Sequence, residues 1–207
     1  SCSTVRNLRP CDFAVSEALH LGVNGDFTDD NYSRSPIGLT DARSSGFGLD
    51  ASLTVSEELS LNAWVQTESI RSTQLGSSAY SVADWSGRTR DTMDVGGIGV
   101  KYAKDKLALT ADLTSSRSRS NVTVAVGVPV PDFPTAKTAL DSVRLGATWQ
   151  LNEKMALIGQ FWHERYESRD WRTDGILPNT VPNLLAYGAL PPHYSVNLLR
   201  VALRYRF

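Results

Sequence analysis

The 207-residue sequence is poor in the residues on which catalytic and metal sites depend, with two cysteines and three histidines. It also lacks a charge excess, since 21 Lys and Arg residues stand against 22 Asp and Glu residues. A net charge of −1 offers no basic excess for binding nucleic acid, so no nucleic-acid partner is expected.

Long apolar runs are absent as well. No stretch approaches 18 consecutive apolar residues, which excludes a membrane-spanning helix. A membrane β-barrel is not excluded, because its strands alternate lipid-facing and lumen-facing residues and average to the hydropathy of a soluble protein. The mean hydropathy of −0.23 is compatible with that pattern.

Sequence motifs for catalysis are also missing. There is no GxSxG, HExxH or P-loop, and no CxxCH that would attach a c-type haem. His20, His163 and His193 are far apart and have no partner at ligand spacing. The stretch DFTDDN (residues 26–31) is interpreted as a solvated loop, with a Ca²⁺ site as the alternative, since it lacks an EF-hand pattern. We therefore predict no catalytic residue, no bound cofactor and no metal ligand.

The N-terminal stretch SCSTVRNLRPC contains both cysteines, Cys2 and Cys11. They could form an oxidised pair in a periplasmic or extracellular protein, or remain two thiols in a frayed terminus. The stretch has no charged region followed by an apolar region, which indicates a mature chain, a fragment or a cytoplasmic protein. Residues 1–16 are predicted to be an N-terminal segment or turn.

What the sequence does have is an alternation of apolar and polar residues with a period of two. Such segments are typical of half-buried strands. We count eight of them, at residues 19–23, 47–55, 59–66, 94–102, 107–113, 142–151, 155–166 and 197–207. Within the fourth, VGGIGV predicts a bulge or kink that switches the face.

The connections alternate between short and long. The short ones are residues 56–58, 103–106 and 152–154, and the long ones are 28–44, 72–90, 118–138 and 167–193. Short periplasmic turns and long outer loops are the pattern of an outer-membrane barrel. Residues 17–207 are therefore predicted to be an all-β, antiparallel up-and-down transmembrane barrel. A soluble β-sandwich or lipocalin-like barrel also alternates and is the competing interpretation.

The phase of the alternation assigns the two faces. The chain ends on NLLRVALRYRF, where Leu199, Val201, Leu203, Tyr205 and Phe207 form a lipid face that finishes on an aromatic residue. Those five residues are predicted to be the barrel-assembly signal. The opposite face is predicted to line the lumen with charged residues: Asp50, Glu68, Asp112, Arg144, Glu164, Arg200, Arg204 and Arg206.

Aromatic residues are expected to form two girdles at the membrane interfaces. The girdle at the short-turn side would contain Tyr102, Trp149, Tyr205 and Phe207. The girdle at the loop side would contain Phe27, Phe47, Trp162 and Tyr166.

The C-terminal 50 residues resemble the end of the MtrB/PioB family. The matching elements are an aromatic-Glu-x-Tyr strand end (FWHERY), the Asp-Trp pair in ESRDWRTDGI, the turn LAYG, the entry PHY and the final Tyr-x-Phe. Residues 84–102 and 133–157 resemble the family more loosely.

This resemblance implies a non-enzymatic barrel of the bacterial outer membrane that sheathes a multihaem c-type cytochrome. The partners would be outer-membrane lipid and that cytochrome, which would carry the haem. Family members are far longer, so the chain is expected to be part of a larger barrel or a shortened relative that closes alone. A general porin or small structural barrel is the alternative function. A barrel-embedded hydrolase would need a nucleophile and base at the lumen rim, and no such grouping is evident.

Overall fold

The computed structural model describes residues 2–32, 36–79, 82–127, 132–171 and 193–206, with side chains from residue 11 onward. The regular structure in these ranges consists of nine β-strands: β1 Cys2–Ala14, β2 Leu19–Asn31, β3 Gly38–Thr54, β4 Leu59–Gly76, β5 Trp85–Lys104, β6 Leu107–Ala125, β7 Ala136–Gln150, β8 Met155–Arg169 and β9 Tyr194–Tyr205. Nowhere in these ranges does a helix have the length and apolarity needed to cross a membrane.

The nine strands form one antiparallel sheet in which each strand pairs with the next along the chain. The sheet is open, because β1 and β9 each pair with a single neighbour. The predicted all-β, up-and-down architecture is confirmed. The single layer is continuous from β1 to β9.

The prediction of eight strands, with residues 1–16 as a segment or turn, missed β1. This strand pairs with β2 along its length, and the register shifts between Leu8 and Cys11. Pro10 and the polar stretch around it interrupt the alternation, so the sequence gives no period-two signal there. With nine strands, β1 begins at the long-loop end of the sheet and β9 ends at the short-turn end.

Most strands are also longer than the alternating segments predicted for them, and they range from 12 residues in β9 to 20 in β5. They continue into the predicted long loops: β5 begins at Trp85 and β6 reaches Ala125. These continuations are rich in Ser and Thr on both faces and carry Arg on one of them, so they lack apolar alternation. Backbone pairing with the neighbouring strands nevertheless persists through them.

The bulge predicted for VGGIGV is wrong, because β5 pairs with β4 and β6 without any register shift. Gly97 instead provides space for a neighbour: a Cβ at this position would lie 2.9 Å from the Trp64 Nε1 and 2.8 Å from the Leu113 carbonyl oxygen. Register shifts occur elsewhere, including one between Leu39 and Asp41 in β3.

The described residues include no fully buried large side chain. Those classed as buried are small: Ala136, Ala156, Ser142 and Ser168. Large apolar side chains are instead open on one side of the sheet, for example Leu199 at 75% and Val201 at 67% exposure. A soluble β-sandwich would cover such a face with a second sheet, and the described ranges provide none.

Candidate functional site

Strand pairing sorts the side chains into cross-strand rows on two faces. One row on the first face contains only apolar residues: Leu19, Leu53, Leu61, Val100, Ala111, Leu145, Phe161 and Leu199. We call this side of the sheet face A. The other side, which carries Asp50, Asp112 and Arg144, is face B. Each strand from β2 to β9 contributes apolar residues to face A.

The short turns descend along the sheet in regular steps. Leu19, which closes the β1–β2 turn, lies opposite Leu53, whereas the next turn closes two residues further along, at Val55. The same two-residue step recurs at the later hairpins. Tyr102 lies opposite the end of one turn and the next turn closes at Lys104; Trp149 lies opposite the end of that turn and the following one closes at Leu151. One residue of offset per strand, with a rise of about 3.3 Å and a spacing of about 4.8 Å, corresponds to a strand tilt of roughly 35°. That tilt is the one expected of a membrane barrel.

The apolar residues of face A follow the same diagonal. The continuous apolar run ends at Phe27 on β2, at Phe47 on β3 and at Val65 on β4, and each of these residues lies one row lower than the one before it. On β8 and β9 it ends at Phe161 and Leu199. A band that is level in a membrane must cross tilted strands in this manner. Its slope therefore supports a lipid-facing role for face A.

All eight of the charged residues predicted to line the lumen fall on face B or in phase with it. In the strand register, Asp50 pairs with Gly22, Asp112 pairs with Arg144, and Glu164 pairs with Ser142. The remaining members are Glu68, Arg200, Arg204 and Arg206. They are spread over β3 to β9 and form no single cluster. That face B lines a lumen stays a prediction at this level.

Two groups of side chains do come together on face B. The Arg144 guanidinium lies 4.7 Å from the centroid of the Trp162 ring, and Trp162 Nε1 donates a hydrogen bond to Ser142 Oγ at 3.0 Å. The Tyr194 hydroxyl donates to Glu164 Oε1 at 2.8 Å, and its ring stacks on Tyr166 at 5.2 Å.

Two aromatic residues of these groups lie on the face opposite to the one predicted for them. Trp162 and Tyr166 were predicted to lie in the loop-side girdle, but pairing with β7 and β9 places both on face B. Strand β8 has large apolar residues on both faces, so its own alternation does not show which residues lie on which face. Pairing with polar residues of β7 and β9 shows it. Phe27, Phe47, Tyr102, Trp149 and Tyr205 lie on face A.

Several glycines on face B leave space for polar side chains of the neighbouring strand. At Gly22 a Cβ would lie 2.4 Å from the Asp50 Oδ1, and at Gly46 it would lie 2.3 Å from the Asp26 Oδ1. Gly99 has the same relation to Asn62, at 2.4 Å. Polar side chains of one strand thus lie flat over the bare backbone of the next. The surface of face B is therefore polar and low at these three positions.

The C-terminal strand carries the predicted assembly signal on face A. Leu199, Val201, Leu203 and Tyr205 are between 50% and 75% exposed. Phe207 lies outside the described residues. The role of these residues in assembly stays a prediction.

The oxygen-rich residues 26–31 lie within β2 rather than in a loop. Alternation separates them: Asp26 points to Gly46 on face B, whereas Asp29 pairs with Arg43 on face A, 3.4 Å away. Across the described residues, no group of three or more His, Cys, Asp or Glu side chains is arranged to hold a metal ion.

Trp162→Phe removes the indole donor to Ser142 and is expected to lower the free energy of unfolding of the full-length barrel by about 1 kcal/mol. Trp149→Phe, on the exposed part of face A, is the matched control and should change it by less than about 0.5 kcal/mol. Denaturant unfolding in detergent measures both. Equal effects would mean that the Trp162–Ser142 contact does not form.

A family model matches almost the entire chain. Residues 10–207 match the model described as an outer membrane beta-barrel porin, MtrB/PioB. The chain belongs to the MtrB/PioB family. Its localisation is therefore the bacterial outer membrane. That face A is the lipid-facing side of the barrel stays a prediction. The resemblance of the C-terminal motifs to this family is confirmed.

A curated relative supports the same assignment. The MtrB/PioB chain is 30% identical over 193 residues to the outer membrane protein MtrB of Shewanella baltica (strain OS185). This alignment covers 92% of the chain but only 28% of the relative. The chain therefore spans less than a third of the length of that protein.

Solved barrels share the fold at low sequence identity. The MtrB/PioB chain superposes on the copper transporter OprC with a TM-score of 0.67 at 15% identity, covering 95% of this chain and 33% of OprC. It superposes on the ferric enterobactin receptor PfeA of Pseudomonas aeruginosa with a TM-score of 0.65 at 13% identity, covering 97% of this chain and 36% of PfeA. In both cases the sheet corresponds to about a third of a larger outer-membrane protein.

Proposed function

We propose that this sheet is part of the wall of a wide outer-membrane barrel that sheathes a multihaem c-type cytochrome and positions it for electron transfer. The observation that carries the proposal is the open and mainly polar face B. An eight-stranded barrel fills its interior with its own side chains, whereas a wide barrel leaves room for a partner. The open edges β1 and β9, and a match to less than a third of MtrB, favour the wide barrel.

The charges of face B would set the depth of the partner. Beyond the apolar band, toward the long loops, the charged residues of face B on β2 to β8 are all acidic: Asp30, Glu68, Asp91 and Glu164. Level with the band and below it, arginines join them, including Arg144, Arg200 and Arg204. A partner with complementary charge would be held in one orientation and at one depth.

In this proposal the barrel has no catalytic role and binds no cofactor of its own. The haem belongs to the partner and performs the redox step, while the barrel supplies placement and separates the haem chain from lipid. Face B supplies polar contacts to the partner, and face A supplies the contact with outer-membrane lipid.

The test is co-purification. An affinity-tagged full-length barrel, extracted from the outer membrane in mild detergent, is expected to bring with it a haem-staining protein. A porin that carries the same affinity tag and is extracted in the same way serves as the matched control. Recovery of folded barrel with no haem protein would contradict the sheath.

The second candidate is a general porin, which the description of the family favours. It predicts a steady ion conductance when the purified barrel is placed in a planar bilayer without any partner. A sheath predicts that the conductance of the barrel falls when the cytochrome is bound. The two functions are thus separated by one recording made with and without the co-purified protein.

A further inference from the structure

The strands extend beyond the apolar band toward the long loops, and this outer extension comprises residues 28–31, 38–46, 66–76, 85–97, 114–125, 136–142 and 162–169. Its two faces differ sharply in charge. Face A carries nine cations there: Arg43, Arg71, Arg88, Arg90, Arg117, Arg119, Lys137, Arg165 and Arg169. Against these stand five acids: Asp29, Asp41, Asp94, Asp141 and Glu167. Face B carries only acids in the same region.

Six of the cations lie in two cross-strand triplets. Arg43, Arg71 and Arg90 lie directly opposite one another on β3, β4 and β5. On β6, β7 and β8, the same arrangement is formed by a second set: Arg119, Lys137 and Arg169. Like charges directly opposite each other destabilise a sheet. An anion held between the cations of a triplet would relieve this repulsion.

Among the described residues, the acids of face A form ion pairs with three of these nine cations. Asp29 and Asp41 both pair with Arg43, Asp141 pairs with Arg117, and Glu167 pairs with Arg165. Within the described ranges, no ion pair is formed by the other five triplet members: Arg71, Arg90, Arg119, Lys137 and Arg169. The first triplet also lines an open cleft of about 720 Å³ together with Arg88.

The height of the triplets selects the ligand. On β4, Arg71 lies six residues beyond Val65, where the continuous apolar run of face A ends, with Thr67 and Ser69 as a neutral spacer. At about 3.3 Å per residue and a tilt of roughly 35°, this places Arg71 about 16 Å above the apolar band. The head-group layer of a simple phospholipid is only about 5–8 Å deep. A taller anionic head group is needed to reach the arginines.

We propose that the two triplets bind the phosphate groups of an outer-leaflet glycolipid whose head group is a phosphorylated oligosaccharide. Guanidinium groups bind phosphate oxygens in a bidentate manner, which suits the arginines of both triplets. The acyl chains of the same lipid would lie on the apolar band directly below. The proposal depends on the orientation of the barrel in the outer membrane and is independent of the cytochrome.

The test uses the full-length barrel in nanodiscs of neutral phospholipid doped with a glycolipid bearing a phosphorylated oligosaccharide. Mass spectrometry counts the glycolipid retained per barrel. The variant is Arg71→Gln/Arg90→Gln/Arg119→Gln, and the matched control is Lys104→Gln/Lys106→Gln/Lys154→Gln, three exposed cations at the short-turn end. We expect the variant to retain at least tenfold less glycolipid per barrel than the unmodified protein, and the control to retain the same amount.

Two further measurements on the unmodified barrel keep the result independent of how the variant folds. Retention should fall as salt is raised, because the contacts are ionic, and it should be lost when the oligosaccharide is enzymatically dephosphorylated. Equal retention of the dephosphorylated lipid, or equal retention of a phospholipid without oligosaccharide, would overturn the proposal. So would a variant that binds as well as the control. Binding of inorganic phosphate alone, without preference for the glycolipid, would also overturn it.

Discussion

Ala51→Arg is expected to lower the free energy of unfolding of the full-length barrel by about 2–4 kcal/mol, the cost of an arginine on the lipid face at the bilayer midplane. Ala51 lies at the centre of the apolar residues of β3 and between Leu21 and Ala63 on the neighbouring strands. An arginine there has no polar partner and must displace lipid. Denaturant unfolding in lipid vesicles, followed by the fluorescence of the barrel, measures the loss.

The matched control is Ser52→Arg, one residue along the same strand. Ser52 is exposed on face B between His20 and Asn62, so its substitution should cost less than about 1 kcal/mol. The two variants differ little in the size of the residue replaced and in depth, and differ mainly in the face. A similar loss from both would show that face A does not contact lipid.

The second large effect concerns closure. Expressed on their own, the 207 residues are expected to form no monodisperse, heat-modifiable barrel in detergent, whereas the full-length protein should form one. Strands β1 and β9 each leave one edge of backbone N–H and C=O groups unpaired. In lipid, each unsatisfied backbone group costs several kcal/mol, so an open edge cannot persist. Gel migration of heated and unheated samples and light scattering measure the outcome.

A closed monomer of the 207 residues would contradict this expectation, because β1 would then have to pair with β9. Such pairing would also narrow the lumen and exclude a protein partner. The proposed sheath would fail with it, whereas the lipid-facing role of face A would not be affected.

The sequence predicted the parts of the sheet that lie within the membrane. There one face is apolar and the other is mainly polar, so alternation is strong. In β9, Leu199 and Arg200 alone are enough to set the phase, since an arginine on the lipid face would be costly. The register of the structure places the two on opposite faces, as predicted.

The parts that sequence reasoning missed lie where this contrast is absent. In the outer extension of β6, residues such as Ser116 and Arg117 are polar on both faces, and the stretch therefore resembles a loop although it is paired on both sides. Trp162 was misplaced because β8 is apolar on both faces. Its face follows from its hydrogen bond to Ser142, 20 residues away along the chain. Partners brought together from different strands are not visible in the alternation of any one strand.

The regular step of the short turns has a consequence for the size of the pore. Because every hairpin repeats the same offset, each additional strand adds about 6 Å to the circumference without changing the tilt. The diameter of such a barrel is then determined by the number of its hairpins and not by any single residue. Duplication or loss of a hairpin would therefore change the width of the pore while leaving the strand tilt and the apolar surface of face A unaltered.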